Sequence, residues 1–185
     1  MIRRLLSRAL PALALLFLVP LAAEAQQRQV ASPRDTASMR LGGATVSVDY
    51  GRPYARGRKI MGGLVPFGRV WRTGANAATT LVTSADLRIG GVDVPRGTYT
   101  LYTLPAADRW LLVVNRQTGQ WGTEYDAKRD LARIPMRMSA LRSPTEQFTI
   151  TLAPAQNGRG ELAMAWENTR VSVPVELKRP AARGN

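Results

Sequence analysis

Short apolar–polar alternations recur along this chain at intervals of about ten residues, and turn signals separate them. No apolar stripe with helical spacing outlasts a single turn, so the rhythm admits an all-β fold and little else. Thr45 to Tyr50 alternates strictly and puts Val46, Val48 and Tyr50 on one face of a strand. Thr79 to Thr83 is β-branched and apolar. Leu87-Arg88-Ile89 and Val92-Asp93-Val94 flank Gly90-Gly91, a two-residue hairpin signal. Thr98 to Leu104 alternates again, and Trp110 to Val114 is continuously apolar, as in a strand covered on both faces. Residues 115–130 break the pattern, with room for one helical turn at Ala127 to Leu131. Arg133 to Met138 resumes strand character, and Pro135 places it toward a sheet edge. Phe148 to Leu152, Glu161 to Trp166 and Val171 to Leu177 follow, with Pro154, Asn157-Gly158 and Asn168 in the turns between them.

Eight or nine short strands of this kind define a single antiparallel β-sandwich over residues 43–178, a jelly-roll or immunoglobulin-like two-sheet arrangement. Residues 26–42 are polar and aperiodic and read as a disordered extension; residues 179–185 read as a disordered tail. Ahead of them, Arg3, Arg4 and Arg8 precede an apolar run from Leu10 to Ala22, and Ala23-Glu24-Ala25 has the small-x-small form of a signal peptidase site. The expectation is cleavage after Ala25 and export to the periplasm or exterior, with no membrane span in the mature chain.

Two missing residue types limit the chemistry. With no Cys there is no disulfide framework and no lipid-modified cysteine at the cleavage site. With no His, the usual general base near neutral pH, the Ser-His-Asp arrangement and zinc sites built on Cys and His are all excluded. No cofactor or metal is expected. The formal charge is +13, and loss of three arginines and one glutamate with the leader would bring it to +11. No block of five basic residues appears, and nucleic acid is not an expected partner.

One long stretch, Tyr50 to Thr80, departs from the strand rhythm and reads as an ordered loop lying across the β-scaffold. Arg52, Arg56, Arg58 and Arg72 within it could converge on an anionic group, because guanidinium forks pair bidentately with carboxylate, sulfate or phosphate. Trp71 would then supply a wall and Asn76 a directional hydrogen-bond pair. The competing reading is structural. Trp71 fills the core, Arg72 pairs with a buried carboxylate such as Asp49, Asp86 or Glu167, and Gly74 and Asn76 hold left-handed turns. The directions of Arg52, Arg58, Arg72 and Asn76, into a shared cleft or into the interior, decide between them.

Trp121 and Tyr125 sit in the polar 115–130 segment and suit a carbohydrate platform, with Trp121 the more exposed. The candidate ligand-binding set is therefore Arg52, Arg58, Trp71, Arg72, Asn76, Trp121 and Tyr125, for a small anionic or carbohydrate ligand or an envelope partner protein. Two other classes stay open. A carboxylate-dependent hydrolase of envelope or extracellular glycans would draw on Glu124, Asp126 or Glu167, though no spacing among them is diagnostic. A structural envelope-associated protein would need no small ligand.

Several segments in order resemble the secreted bacterial family named domain of unknown function 2911. They include Arg52-Pro53, Gly57-Arg58, Leu64-Val65-Pro66-Phe67-Gly68 and, most specifically, Val70-Trp71-Arg72-Thr73-Gly74-Ala75-Asn76. Gly97-Thr98-Tyr99, Trp121-Gly122, Tyr125-Asp126 and Ala165-Trp166-Glu167-Asn168 follow, and the likeness covers about residues 44–176. Many relatives carry an acidic residue after the Asn, where this chain has Ala77. The resemblance implies an exported β-sandwich, and it implies no activity, ligand or catalytic residue.

Overall fold

A computed structural model describes residues 31–178. The expected leader, residues 26–30 and the tail at 179–185 lie outside the described residues. The chain forms β1 (Arg34–Leu41), β2 (Ala44–Gly51), β3 (Thr79–Thr83), β4 (Leu87–Ile89), β5 (Val92–Val94), β6 (Gly97–Pro105), β7 (Trp110–Asn115), β8 (Asp130–Ala155) and β9 (Arg159–Leu177). They make one antiparallel nine-stranded sheet in the order β1-β2-β3-β6-β7-β8-β9-β4-β5. The sheet is not closed; it is all-β and sandwich-like, as expected.

The two layers share β8. Its first residues pair with β7, Trp110 opposite Met136, and from Arg137 onward it pairs with β9 instead. Pro135 sits just before that exchange, where β8 is locally an edge, so its missing N–H breaks no ladder. Register shifts between Ala140 and Thr145 and between Thr145 and Thr149 bend the long strand. The two strands expected at 133–138 and 148–152 are thus one, and β9 likewise joins the two expected at 161–166 and 171–177. The helical turn expected near 127 is a 3-10 turn at Ala127–Arg129, capped by the Asp126 carboxylate on the Lys128 N–H at 2.9 Å.

The extension read as disordered is corrected in its second half. Arg34–Leu41 is β1, paired residue by residue with β2 from Arg34↔Gly51 to Leu41↔Ala44. Gly42 and Gly43, both at positive φ, close this hairpin. Only Met39 and Leu41 of the strand are buried, which is why no alternation showed in its sequence.

Between the layers lies one apolar core, to which β2, β3, β6, β7, β8 and β9 all contribute. At one end it is aromatic. Phe148 meets Trp71 edge-on at 5.0 Å and Tyr50 at 5.8 Å, and Trp71 stacks on Trp166 at 5.9 Å. The Tyr50 hydroxyl crosses between layers, accepting from the Ile150 N–H at 2.9 Å and donating to the Ile150 carbonyl at 3.3 Å.

Candidate functional site

The connection from β2 to β3, residues 52–78, far exceeds the ~12–15 residues of an ordinary unstructured loop. It stays ordered because it is anchored at short intervals. Ala55, Ile60, Val65 and Trp71 are all buried, Ile60 and Val65 completely. Between these anchors the backbone bonds to the scaffold. The Ala55 N–H donates to the Glu146 carbonyl at 2.8 Å, that of Gly68 to Pro105 at 2.8 Å, and Trp71 and Thr103 exchange a pair at 2.8 and 2.9 Å. The loop therefore lies across β6 and β8, over the aromatic end of the core.

After Trp71 the backbone turns through left-handed territory: Thr73 at φ 55°, Gly74 at 153° and Asn76 at 64°. For a β-branched residue this is a strained conformation. Thr73 is held in it while fully buried, its hydroxyl within 3.1 Å of the Thr103 hydroxyl and 3.2 Å of the Trp71 carbonyl. At Gly74 a Cβ would lie 2.9 Å from the Thr79 hydroxyl and 3.0 Å from the Gly51 carbonyl. The turn brings Arg72 and Asn76 to one opening. Residues 120–122 are strapped onto it, with the Gly122 N–H on the Asn76 carbonyl at 3.0 Å and the Ala78 N–H on the Gln120 carbonyl at 3.2 Å. Gly122 must be glycine here, since a Cβ would come within 2.7 Å of that carbonyl and 2.9 Å of the Arg72 side chain.

The result is a cavity of about 500 Å³ with Trp71, Trp166 and Tyr102 in its lining and four arginines, Arg56, Arg58, Arg69 and Arg72, around it. Among the described residues no ion pair involves any of the four. Arg58 donates to the carbonyls of Ala55 at 3.0 Å and Tyr54 at 2.6 Å. Arg72 donates to Gly74 at 3.3 Å, and the Arg56 guanidinium lies 5.8 Å from the Tyr54 ring centroid. The Glu146 carboxylate accepts the Arg56 backbone N–H at 2.7 Å and forms no ion pair with the Arg56 guanidinium.

Of the residues singled out from sequence, Arg58, Trp71, Arg72, Asn76 and Tyr125 share this lining. Arg52 does not. Its guanidinium is pinned to Asp35 at 3.0 Å, the Thr149 hydroxyl at 2.9 Å and the Phe148 carbonyl at 3.2 Å, tying β2 to β1 and β8. Trp121 is half exposed and lies beside the cavity rather than in it, where its backbone bridges to Ala77. Tyr125 faces the cavity with its hydroxyl engaged, donating to Asp130 at 2.6 Å and accepting from Arg133 at 2.9 Å. Burial, and then the hydrogen bond to Asp130, push that hydroxyl up to about 12.

The competing structural reading is half realised. Trp71 is in the core, and Gly74 and Asn76 do hold left-handed turns. Arg72 pairs with none of the three carboxylates considered for it. Asp49 is held by Arg34, Asp86 accepts the Arg96 N–H at 2.8 Å, and Glu167 accepts the Met61 N–H at 3.3 Å. Glu124, Asp126 and Glu167 are absent from the cavity lining, and no described cluster of three or more acidic residues could hold a metal ion. Arg69, Tyr102 and Trp166 were not singled out. They come to the site from outside any local motif, and only the long-range path of the loop assembles them.

An all-β chain with an arginine-lined cavity over its aromatic core is the class that fold and site define. Residues 32–175 match the family described as Protein of unknown function (DUF2911), and the chain belongs to that family. No curated protein and no solved structure matches it.

Proposed function

We propose that this chain is an exported, non-catalytic binding protein whose cavity takes a small organic or inorganic anion. The reading is carried by one observation: four arginines that have no carboxylate partner among the described residues surround one aromatic-floored cavity. Placing like charges together is unfavourable unless a counter-charge arrives, and guanidinium forks match carboxylate, sulfate and phosphate oxygens. The Trp71 edge and Tyr102 give the same ligand an apolar wall. Export is supported by the basic, apolar and small-x-small order of residues 3–25.

The test is thermal unfolding with inorganic phosphate, sulfate and citrate against chloride at equal ionic strength. A bound anion at a hundredfold its dissociation constant stabilises by about 2.7 kcal/mol, an easily read shift. Arg58→Ala and Arg72→Ala should remove the shift while the fold persists. A panel in which no anion outperforms chloride, or in which both variants respond like the parent, defeats the reading.

A further inference from the structure

The rim of the cavity carries a second pattern that a soluble anion does not need. From Tyr50 to Ala85 the chain contains six cations, Arg52, Arg56, Arg58, Lys59, Arg69 and Arg72, and no Asp or Glu. Arg56, Arg58, Lys59 and Arg69 are exposed. Among them stand two large apolar side chains in solvent, Leu64 at 45% and Phe67 at 42% exposure. Leu64, Arg56, Arg58 and Arg69 border the same mouth, so cations and apolar groups share one face.

This exposure is held in place by the fold. Ile60 and Val65 are fully buried on either side of the tip, and the Val65 and Leu64 N–H groups donate to the Ile60 and Lys59 carbonyls at 2.9 and 3.1 Å. The Gly62 N–H donates to the Val65 carbonyl at 2.9 Å, and Gly62 has no side chain where the Phe67 ring approaches. A tight turn with both inner side chains in the core forces Leu64 outward. Asp35 pairs with Arg52 at the start of the loop, while Glu146 and Glu167 reach the 56–69 face from β8 and β9 through backbone N–H groups of Arg56 and Met61.

We propose that the 56–69 face docks on an anionic lipid surface, with Leu64 and Phe67 entering the headgroup boundary and Arg56, Arg58, Lys59 and Arg69 meeting lipid phosphates. Charge complementarity selects this occupant, because an uncharged apolar partner would strand four cations. Each cation near such a surface is worth about fivefold in partitioning, and inserted apolar side chains add to that. The proposal shares three arginines with the anion cavity and does not depend on a ligand inside it.

The experiment is co-sedimentation of the exported chain, its N-terminus read by mass spectrometry, with phosphatidylglycerol–phosphatidylcholine vesicles and with phosphatidylcholine alone. Binding should require the anionic lipid. Leu64→Ser with Phe67→Ser should lower it about tenfold or more, and Lys59→Gln with Arg69→Gln, at about fivefold for each cation, about 25-fold. Arg40→Gln with Arg96→Gln, at the opposite end of β2, β3 and β6, removes the same charge and should leave binding nearly unchanged. Melting curves report whether each variant is folded. Equal binding to both vesicle types, parent-like binding of the Leu64/Phe67 variant, or loss of binding to millimolar glycerol phosphate overturns the proposal. Arg72→Ala separates the two readings, since it should lose soluble anions and keep vesicles.

Discussion

Two hollows of similar size open on this molecule, and both are edged with cations. One, about 500 Å³, lies under the β2–β3 loop; the other, about 620 Å³, lies at the β8–β9 hairpin and includes Arg88, Arg159 and Lys178. In the second hollow every one of those cations has a carboxylate. Arg88 and Lys178 share Asp93 at 3.0 and 2.6 Å, and Arg159 meets Glu176 at 3.4 Å. Around the first hollow none of the four arginines has one among the described residues. Positive charge alone therefore says little in so arginine-rich a chain. The informative property is whether the fold supplies the counter-charge or leaves it to a ligand.

The hollows also differ in what lies beneath them, and Trp71 gives the largest expected effect. Its ring is at once cavity floor and partner of Phe148 and Trp166. Trp71→Ala would leave a void in the aromatic end of the core and should lower unfolding free energy by about 3–5 kcal/mol in a denaturant titration. Trp71→Phe should recover part of that. A loss below about 1 kcal/mol for the alanine variant would mean that the loop sits on the core without being part of it.

An intermediate effect appears on the alkaline side, where the two hollows should again part. Tyr125 holds its proton up to about 12, first through burial and then through Asp130, against an ordinary value of 10.0. The folded protein thus binds this proton more tightly than the unfolded chain. Its contribution is complete below about pH 10 and is lost as pH rises through about 12. Tyr125→Phe gives up the hydrogen bond to Asp130, about 1 kcal/mol at neutral pH. The parent and variant curves should converge as pH climbs from about 9 to about 12, and curves that stay parallel would remove the proton from the account. Burial also raises Tyr50, Tyr99 and Tyr102, so the variant should still lose some stability in strong alkali.

What could be read from the sequence follows from the range of the interactions involved. The limits of β3, β4 and β5 were legible to the residue, because alternation and the Gly90-Gly91 turn are local. β1 was missed although Gly42-Gly43 carries the same hairpin signal; with only Met39 and Leu41 buried, its pattern was too thin to register. The continuity of β8 was hidden because residues 141–147 neither alternate nor pair regularly. Within the loop, nothing near Arg52 or Arg58 distinguishes them. One becomes a tie and the other a rim residue because Asp35 and Thr149 come from distant strands. Trp71 was weighed as core or site, and its packing makes it part of both.

The smallest effect bears most directly on the contrast between matched and unmatched charge, because it concerns sign. Arg69→Gln with Arg72→Gln removes two like charges from the rim and, among the described residues, one long hydrogen bond, Arg72 to Gly74 at 3.3 Å. Stability in anion-poor buffer should change by less than about 0.5 kcal/mol, or rise. Added sodium chloride should stabilise the parent more than the variant, since screening relieves repulsion. At the other hollow, Asp93→Asn removes the shared partner of Arg88 and Lys178 and should destabilise weakly. Lys178 and Arg88 hold the Asp93 carboxyl below its ordinary 3.8, so the stability it contributes is present above that value and is lost as pH falls through its lowered range. Salt there should reduce the difference between parent and Asp93→Asn, because it screens an attraction. Opposite salt responses in melting curves of the two variants would establish that one hollow is internally neutralised and the other is not. The same sign at both would make the cavity arginines ordinary surface charge.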